Sequence, residues 1–180
     1  MDQAVGQLRH FAMSVPDPWA TAEFYIHSFG FKFVGETDSR LAEGCYISDG
    51  VINIALLKYK SDEVSQGTGK DFVGIHHIGI WVDDVDETRK KVEAAGGKWI
   101  MGEPDPVGGS FYEVKFTDPN GVIFDLTHNG WGGSQRYPGT PGSESTLPRK
   151  LVERFSERRA KARDDMAKKT GQAELVKTGK

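Results

Sequence analysis

The amino-acid sequence predicts an α+β fold: two βαβββ modules forming a curved sheet around a metal cavity, followed by a charged helical tail. Three observations carry this. The stretch Gly74-Ile75-His76-His77-Ile78-Gly79-Ile80-Trp81-Val82 repeats the pattern of Arg9-His10-Phe11-Ala12-Met13-Ser14-Val15, with His77 falling on His10. The same offset then places Val82 on Val15, Asp84 on Asp17, Gly97 on Gly30, Gly102 on Gly35 and Glu103 on Glu36 without a gap. An internal repeat of this kind decides the architecture before any local pattern does. Finally, each copy carries the same punctuation, a strand, a capped helix ended by glycine, and further strands joined by turn residues.

In the first copy, residues 8–15 alternate as a strand, with Arg9, Phe11, Met13 and Val15 on one face and His10, Ala12 and Ser14 on the other. Pro16-Asp17-Pro18 stops that strand and opens a helix over about 18–28, with Asp17 as N-cap and Pro18 at the first helical position. Gly30 is the expected C-terminal glycine. Strands are expected at about 31–36, 41–48 and 51–58, the last two joined by Ser48-Asp49-Gly50. This module spans residues 1–59, and the polar, glycine-containing stretch 60–74 is a linker between the copies.

The second module, 75–131, repeats the plan. A strand at 75–82 leads into a helix at 84–95 ended by Gly96-Gly97, with strands at about 98–101, 110–117 and 122–128. Asp118-Pro119-Asn120-Gly121 is the turn between the last two. Residues 132–148 form a Gly/Pro-rich connector, and 149–180 a charged tail. Within that tail Leu151, Phe155, Ala162 and Met166 make one narrow apolar stripe, suited to packing on the same chain or on a partner subunit.

Composition narrows the function classes. A net charge of −3 over 180 residues offers no nucleic-acid footprint, and the tail's basic residues are interleaved with Glu153, Glu157, Asp164 and Asp165. No apolar run reaches membrane-spanning length and the first residues lack a signal-peptide pattern, so a cytoplasmic protein without membrane partners is expected. A lone cysteine, Cys45, excludes an intrachain disulfide and a cysteine-rich zinc site.

The chemistry lies where small residues surround histidines. His77 shares its strand face with Gly79 and Trp81, and His10 shares its own with Ala12 and Ser14, as on the floor of a cavity. Asp125 sits in an apolar strand between Phe124 and Leu126, where an unpaired carboxylate costs several kcal/mol and needs a cation. Two imidazoles and a carboxylate make a metal-binding triad with open positions; Fe(II) or Mn(II) suits it best and Zn(II) also fits. An arginine partner or a capping role is the alternative for Asp125. Phe111, Glu113 and Lys115 share a face; if it meets the cavity, Glu113 is a general base and Lys115 an anion clamp, otherwise the two form a surface ion pair. Trp81 is a candidate substrate wall. His76 is ambiguous, a partly exposed neighbour of His77 on this reading, and His27 and His128 are surface or structural residues.

These residues resemble the vicinal oxygen chelate superfamily, which includes glyoxalase I, methylmalonyl-CoA epimerase, fosfomycin-resistance thiol transferases and type I extradiol dioxygenases. The resemblance covers about residues 8–131 and rests on His-His-Ile-Gly-Ile at 76–80 and on Asp-Pro-Asn-Gly followed after three residues by an acid at 118–125. It implies that the metal chelates two adjacent substrate oxygens. In the family the acid is a glutamate, for which Asp125 is a shorter substitute. Four-ligand members take a further acid or glutamine from the first module. Here the matching position is Ile54, or Asn53 or Ala55 after a one-residue slip, none a carboxylate. The resemblance therefore implies a three-ligand enzyme acting on a small-molecule substrate, foremost an extradiol-type dioxygenase. The tyrosine usual in the dioxygenases before the turn is Phe116 here. A lyase, isomerase or thiol transferase on the same site is the first alternative. A metal-free ligand-holding protein like the bleomycin-sequestering members is the second. A homodimer is expected, in which His10 serves either its own chain's site or its partner's.

Overall fold

A computed structural model describes residues 6–103, 113–137, 139–140 and the helical tail positions 157, 160, 161, 164, 165 and 168. The elements follow as β1 (Gly6–Ser14), α1 (Pro18–Phe29), β2 (Lys32–Asp38), β3 (Ala42–Ser48) and β4 (Asn53–Tyr59). The second copy gives β5 (Gly74–Val82), α2 (Val85–Ala94), β6 (Lys98–Met101), β7 (Val114–Thr117) and β8 (Ile123–Thr127). No helix among the described residues is long and apolar enough to cross a membrane. The apolar stripe expected at Leu151, Phe155, Ala162 and Met166 lies outside the described residues.

The helix ends follow from their caps. Asp17 accepts hydrogen bonds from the Trp19 and Ala20 amides, and Gly30 closes α1 with φ 72° in the left-handed region that glycine tolerates. Asp84 accepts from the Glu87 amide to start α2. The Asp49 carboxylate holds the amides of Val51 and Ile52, each at 2.8 Å, so β4 starts at Asn53 rather than at residue 51. The strand expected over 110–117 is seen from Val114, and 110–112 lie outside the described residues.

All eight strands join one curved sheet in the order β2-β3-β4-β1-β5-β8-β7-β6. Within each module the first and last strands pair in parallel, β1 with β4 and β5 with β8. The modules meet through β1 and β5, which run antiparallel, with His10 opposite Gly79 and Ala12 opposite His77. Both copies therefore share one sheet within a single chain, and each histidine faces a small residue across the central seam.

Each helix covers its own module. Val15, Ala22, Cys45, Ile47 and Leu56 form one core under α1. Val82, Val85, Val114, Phe116 and Leu126 form the other. These use one face of each strand and leave His10, Ala12, His77 and Asp125 on the opposite face.

A strap after β8 ties the halves together. The Ser48 hydroxyl donates to the Gly133 carbonyl at 2.9 Å, the Asn53 amide to the Gly132 carbonyl at 2.8 Å, and the Gln135 amide to the Val51 carbonyl at 3.1 Å. This crossing brings Trp131 over the seam, stacked on His10 with ring centroids 4.7 Å apart and planes 5° from parallel. A side chain at Gly79 would put its Cβ 2.5 Å from the Trp131 ring and 2.7 Å from His10 Cβ. Gly79→Ala is expected to lower stability by about 1–3 kcal/mol, the range for overpacking a tight core. Urea denaturation checks this, and a variant as stable as wild type would show that the strap does not press on the seam.

Candidate metal centre

His10, His77 and Asp125 converge: one ligand atom from each lies within 4.8 Å of the others, and all three residues are buried. The two imidazoles come from β1 and β5 with centroids 5.6 Å apart. The carboxylate enters from β8, beside Gly79 in the parallel pairing. Sheet geometry, not sequence proximity, makes the site.

Hydrogen bonds set the tautomers. Asn53 donates its amide N–H to Gly132, so its Oδ1 faces His10 Nδ1 at 2.8 Å and accepts that proton. His76 donates from Nε2 to the Ser65 carbonyl at 2.8 Å, which leaves its Nδ1 as an acceptor. His77 Nδ1, 2.8 Å away, therefore carries a proton and donates it there. The Tyr59 hydroxyl approaches the same His76 atom at 3.2 Å. Both His10 and His77 thus turn an unprotonated Nε2 to the cavity, the presentation that metal-bound histidines have when a second partner fixes the ring.

Burial keeps these rings neutral. It pulls His10 down to about 4, with Glu113 partly opposing. Burial also pulls His77 well below its ordinary value, helped by the nearby Lys115 charge. The 3.2 Å contact between His77 Nε2 and Asp125 Oδ2 is accordingly not an ion pair. The partner of Asp125 is Lys115, directly across on β7, whose Nζ lies 2.5 Å from the same Oδ2. Burial works against the ammonium, but Asp125 and Glu113 outweigh it and hold its pKa above the usual value. Asp125 Oδ1 is buried without a hydrogen-bond partner among the described residues.

Two neutral nitrogens and one carboxylate with a bare oxygen are a donor set that fits a divalent ion. The floor opens into a cavity of about 110 Å³ lined by His10, Tyr46, Ala55, His77, Glu113 and Lys115, among others.

The other expected residues fall as follows. Glu113 and Lys115 do meet the cavity, with 3.7 Å between their charged atoms, so theirs is not a surface ion pair. Phe111 lies outside the described residues. Trp81 is not among the cavity's lining residues. It donates to the His128 carbonyl at 2.9 Å and packs under Arg136. The aromatic wall over the ligands is Trp131, whose Nε1 also donates to Glu113 at 2.7 Å. His76, expected to be partly exposed, is buried at 6% exposure. His27 is exposed at the end of α1. The linker supplies more than a hinge, since Ser65 is buried and anchors His76. Ala12 and Gly79 are repeat mates, and they pair with Ala55 and Asp125 respectively, so Ala55 is the first module's counterpart of Asp125. Asn53 stands behind His10 as its orienting partner.

A family model described as Glyoxalase/Bleomycin resistance protein/Dioxygenase superfamily matches residues 7–126. The anthracycline biosynthesis protein DnrV of Streptomyces peucetius is 32% identical over 151 residues, covering 78% of this chain and 53% of that protein. A probable chloroplastic lactoylglutathione lyase of Arabidopsis thaliana is 32% identical over 133 residues, covering 69% and 36%. The chain thus spans about half the length, or less, of these two relatives. Among solved structures, a hypothetical protein from Bacillus halodurans C-125 matches with a TM-score of 0.59 at 23% identity, over 73% of this chain and all of that one. The methylmalonyl-CoA epimerase of Mycobacterium tuberculosis matches with a TM-score of 0.59 at 17% identity, over 71% and 91%. Both show the shared fold.

The buried neutral rings make metal-free protein acid-sensitive. Between its ordinary value of 6.5 and about 4, His10 in the unfolded chain takes a proton that the folded chain refuses. Stability present above the upper value is therefore lost as pH falls toward the lower one. In chelator-treated protein, urea midpoints should drop across that window. The drop should be shallower in His10→Gln, by up to roughly 1.4 kcal/mol per pH unit. An unchanged slope would contradict a neutral, buried His10.

Proposed function

The chain belongs to the glyoxalase/bleomycin resistance protein/dioxygenase superfamily, and on that premise we propose that it is a divalent-metal-dependent enzyme catalysing proton transfer on a small vicinal-oxygen substrate, as a lyase or isomerase does. His10, His77 and Asp125 hold the ion in this reading. The carrying observation is the position of Glu113. Its carboxylate stands beside the three ligands at the cavity, held by the Trp131 indole and 3.7 Å from Lys115. A fixed carboxylate next to a Lewis-acid site is what abstraction of a proton adjacent to a carbonyl requires.

The ion, when bound, supplies polarisation of two adjacent substrate oxygens. Fe(II) or Mn(II) suits the two-histidine, one-carboxylate set, and Zn(II) fits it as well. Glu113 takes the substrate proton and returns it. Trp131 keeps that carboxylate aimed and shields the His10 ring from water. Asn53 and His76 hold both imidazoles in the tautomer that leaves Nε2 free. The relative named as a lactoylglutathione lyase supports this class of reaction. The reading includes a cytoplasmic location and a homodimer whose sites each draw their ligands from one chain.

A second reading is extradiol cleavage of a small aromatic diol. The three-ligand set, with Ala55 where a fourth ligand would stand, favours it by leaving positions open.

Two measurements decide. Chelator-treated protein should rebind an ion; Asp125→Asn should weaken that binding and Asp125→Glu retain it, and equal retention in both would show that the carboxylate is not a ligand. Metal-loaded protein incubated in D2O with a panel of small α-hydroxycarbonyl compounds should exchange the proton beside the carbonyl. Glu113→Gln should slow that exchange by about 10²–10⁴-fold, the usual contribution of a positioned base, while the variant still binds the ion. Oxygen uptake with catechols and no deuterium exchange would replace the first reading by the second.

A further inference from the structure

Lys115 is not a bystander to the ligand set. Its Nζ lies 2.5 Å from Asp125 Oδ2 and 3.3 Å from His77 Nε2, against the carboxylate and the imidazole nitrogen that would hold an ion. A divalent metal bonded to a carboxylate oxygen and an imidazole nitrogen sits about 2.0–2.2 Å from each. The ammonium already stands against the same two groups, and two cations repel each other there. We propose that Lys115 and a divalent ion are alternative occupants of one cation position, the ammonium holding the centre together without metal and withdrawing when the ion enters.

The structure provides both the reason and the exit. Asp125 is fully buried and needs a positive partner whether or not an ion is present. Lys115 meets that need from the directly opposed position on the neighbouring strand. The way out leads to Glu113, whose second carboxylate oxygen is 3.7 Å from Nζ and whose side chain is a quarter exposed. A lysine has the reach and rotameric freedom to swing between two such acceptors, which a guanidinium fork lacks. The exchange belongs to the second module alone. Tyr46 pairs with Ala55 as Lys115 pairs with Asp125, so the first module has lost the acid and carries no cation against it. Metal affinity is then set by the competition with Lys115 as well as by the ligands, and the metal-free protein keeps a formed site.

This proposal rests on the metal reading above, and the test separates the two. Chelator-treated full-length protein is titrated calorimetrically with MnCl2 and with ZnCl2 as wild type, Lys115→Met and Lys115→Gln. Both variants should bind at least about tenfold more tightly than wild type, because no resident charge has to be displaced. Their metal-free forms should melt several degrees lower and recover when the ion is added. Equal affinity in all three proteins overturns the exchange and leaves the metal reading standing. Binding by none of them overturns both. Should the variants not fold, the wild type alone decides. A zinc-loaded crystal structure should show Nζ beyond about 4 Å from Asp125 Oδ2, outside ion-pair range, and turned to Glu113. Zinc on the ligands with Nζ still against Asp125 overturns the exchange.

Discussion

A carboxylate buried in the centre of a sheet is the constraint from which the rest follows. Asp125 is fully buried, and burying a charge without a partner costs several kcal/mol, a sizeable fraction of a domain's whole stability. Something cationic must therefore face it. The sheet answers by placing Lys115 directly opposite, and His77 adds a neutral nitrogen 3.2 Å from the same oxygen. Asn53 and His76 hold the two imidazole rings beside it in place. Because one carboxylate oxygen still lacks a partner, the arrangement remains polar and unsaturated on the side facing the cavity. A centre of purely structural purpose would be expected to satisfy that oxygen.

Duplication explains how three distant residues meet. The two modules join through their first strands, and antiparallel pairing about the seam sets each histidine opposite the other module's small residue. Ala12 and Gly79 are thus the spaces that let the rings approach to 5.6 Å. Parallel pairing of first and last strands then brings Asp125 beside Gly79 and Asn53 beside His10. One operation yields the buried carboxylate in one module and the partner that orients His10 in the other. The strap closes the arrangement by fastening Asn53 and Ser48 to Gly132 and Gly133, so Trp131 lies flat on His10.

Much of this was legible in the sequence, and the boundary has physical causes. The repeat, the aspartate caps, the paired histidines and the misplaced carboxylate are local signals, each visible within a strand or turn. What escaped depends on long-range pairing. Trp131 falls on Val64 at the repeat offset, so the duplication could not single it out. Trp81 shared His77's face but lies too far along β5, where the His128 carbonyl takes its N–H. The orienting roles of Asn53 and Ser65 arise only once the sheet and linker fold together. Lys115 marks the instructive case. The turn at Asp118-Pro119-Asn120-Gly121 closes between the Asp118 amide and the Val122 carbonyl, which sets Thr117 opposite Ile123 and hence Lys115 opposite Asp125. Counting outward from that turn finds the pair. The closer acid along the chain, Glu113, drew the expectation instead.

The asymmetry between the modules bears most directly on chemistry. A faithful duplicate would place an acid at position 55 as well as at 125, surrounding an ion on both sides of the seam. With alanine there, the first module lends one imidazole and then only cavity wall, including Tyr46 and Ala55. The open side of the centre therefore faces the first module, and the charged side faces the second, where Asp125, Glu113 and Lys115 gather. The alanine at position 55 and the charges gathered around Asp125 are thus two sides of one departure from symmetry. It leaves the cavity with an uncharged wall from the first module and a charged wall from the second.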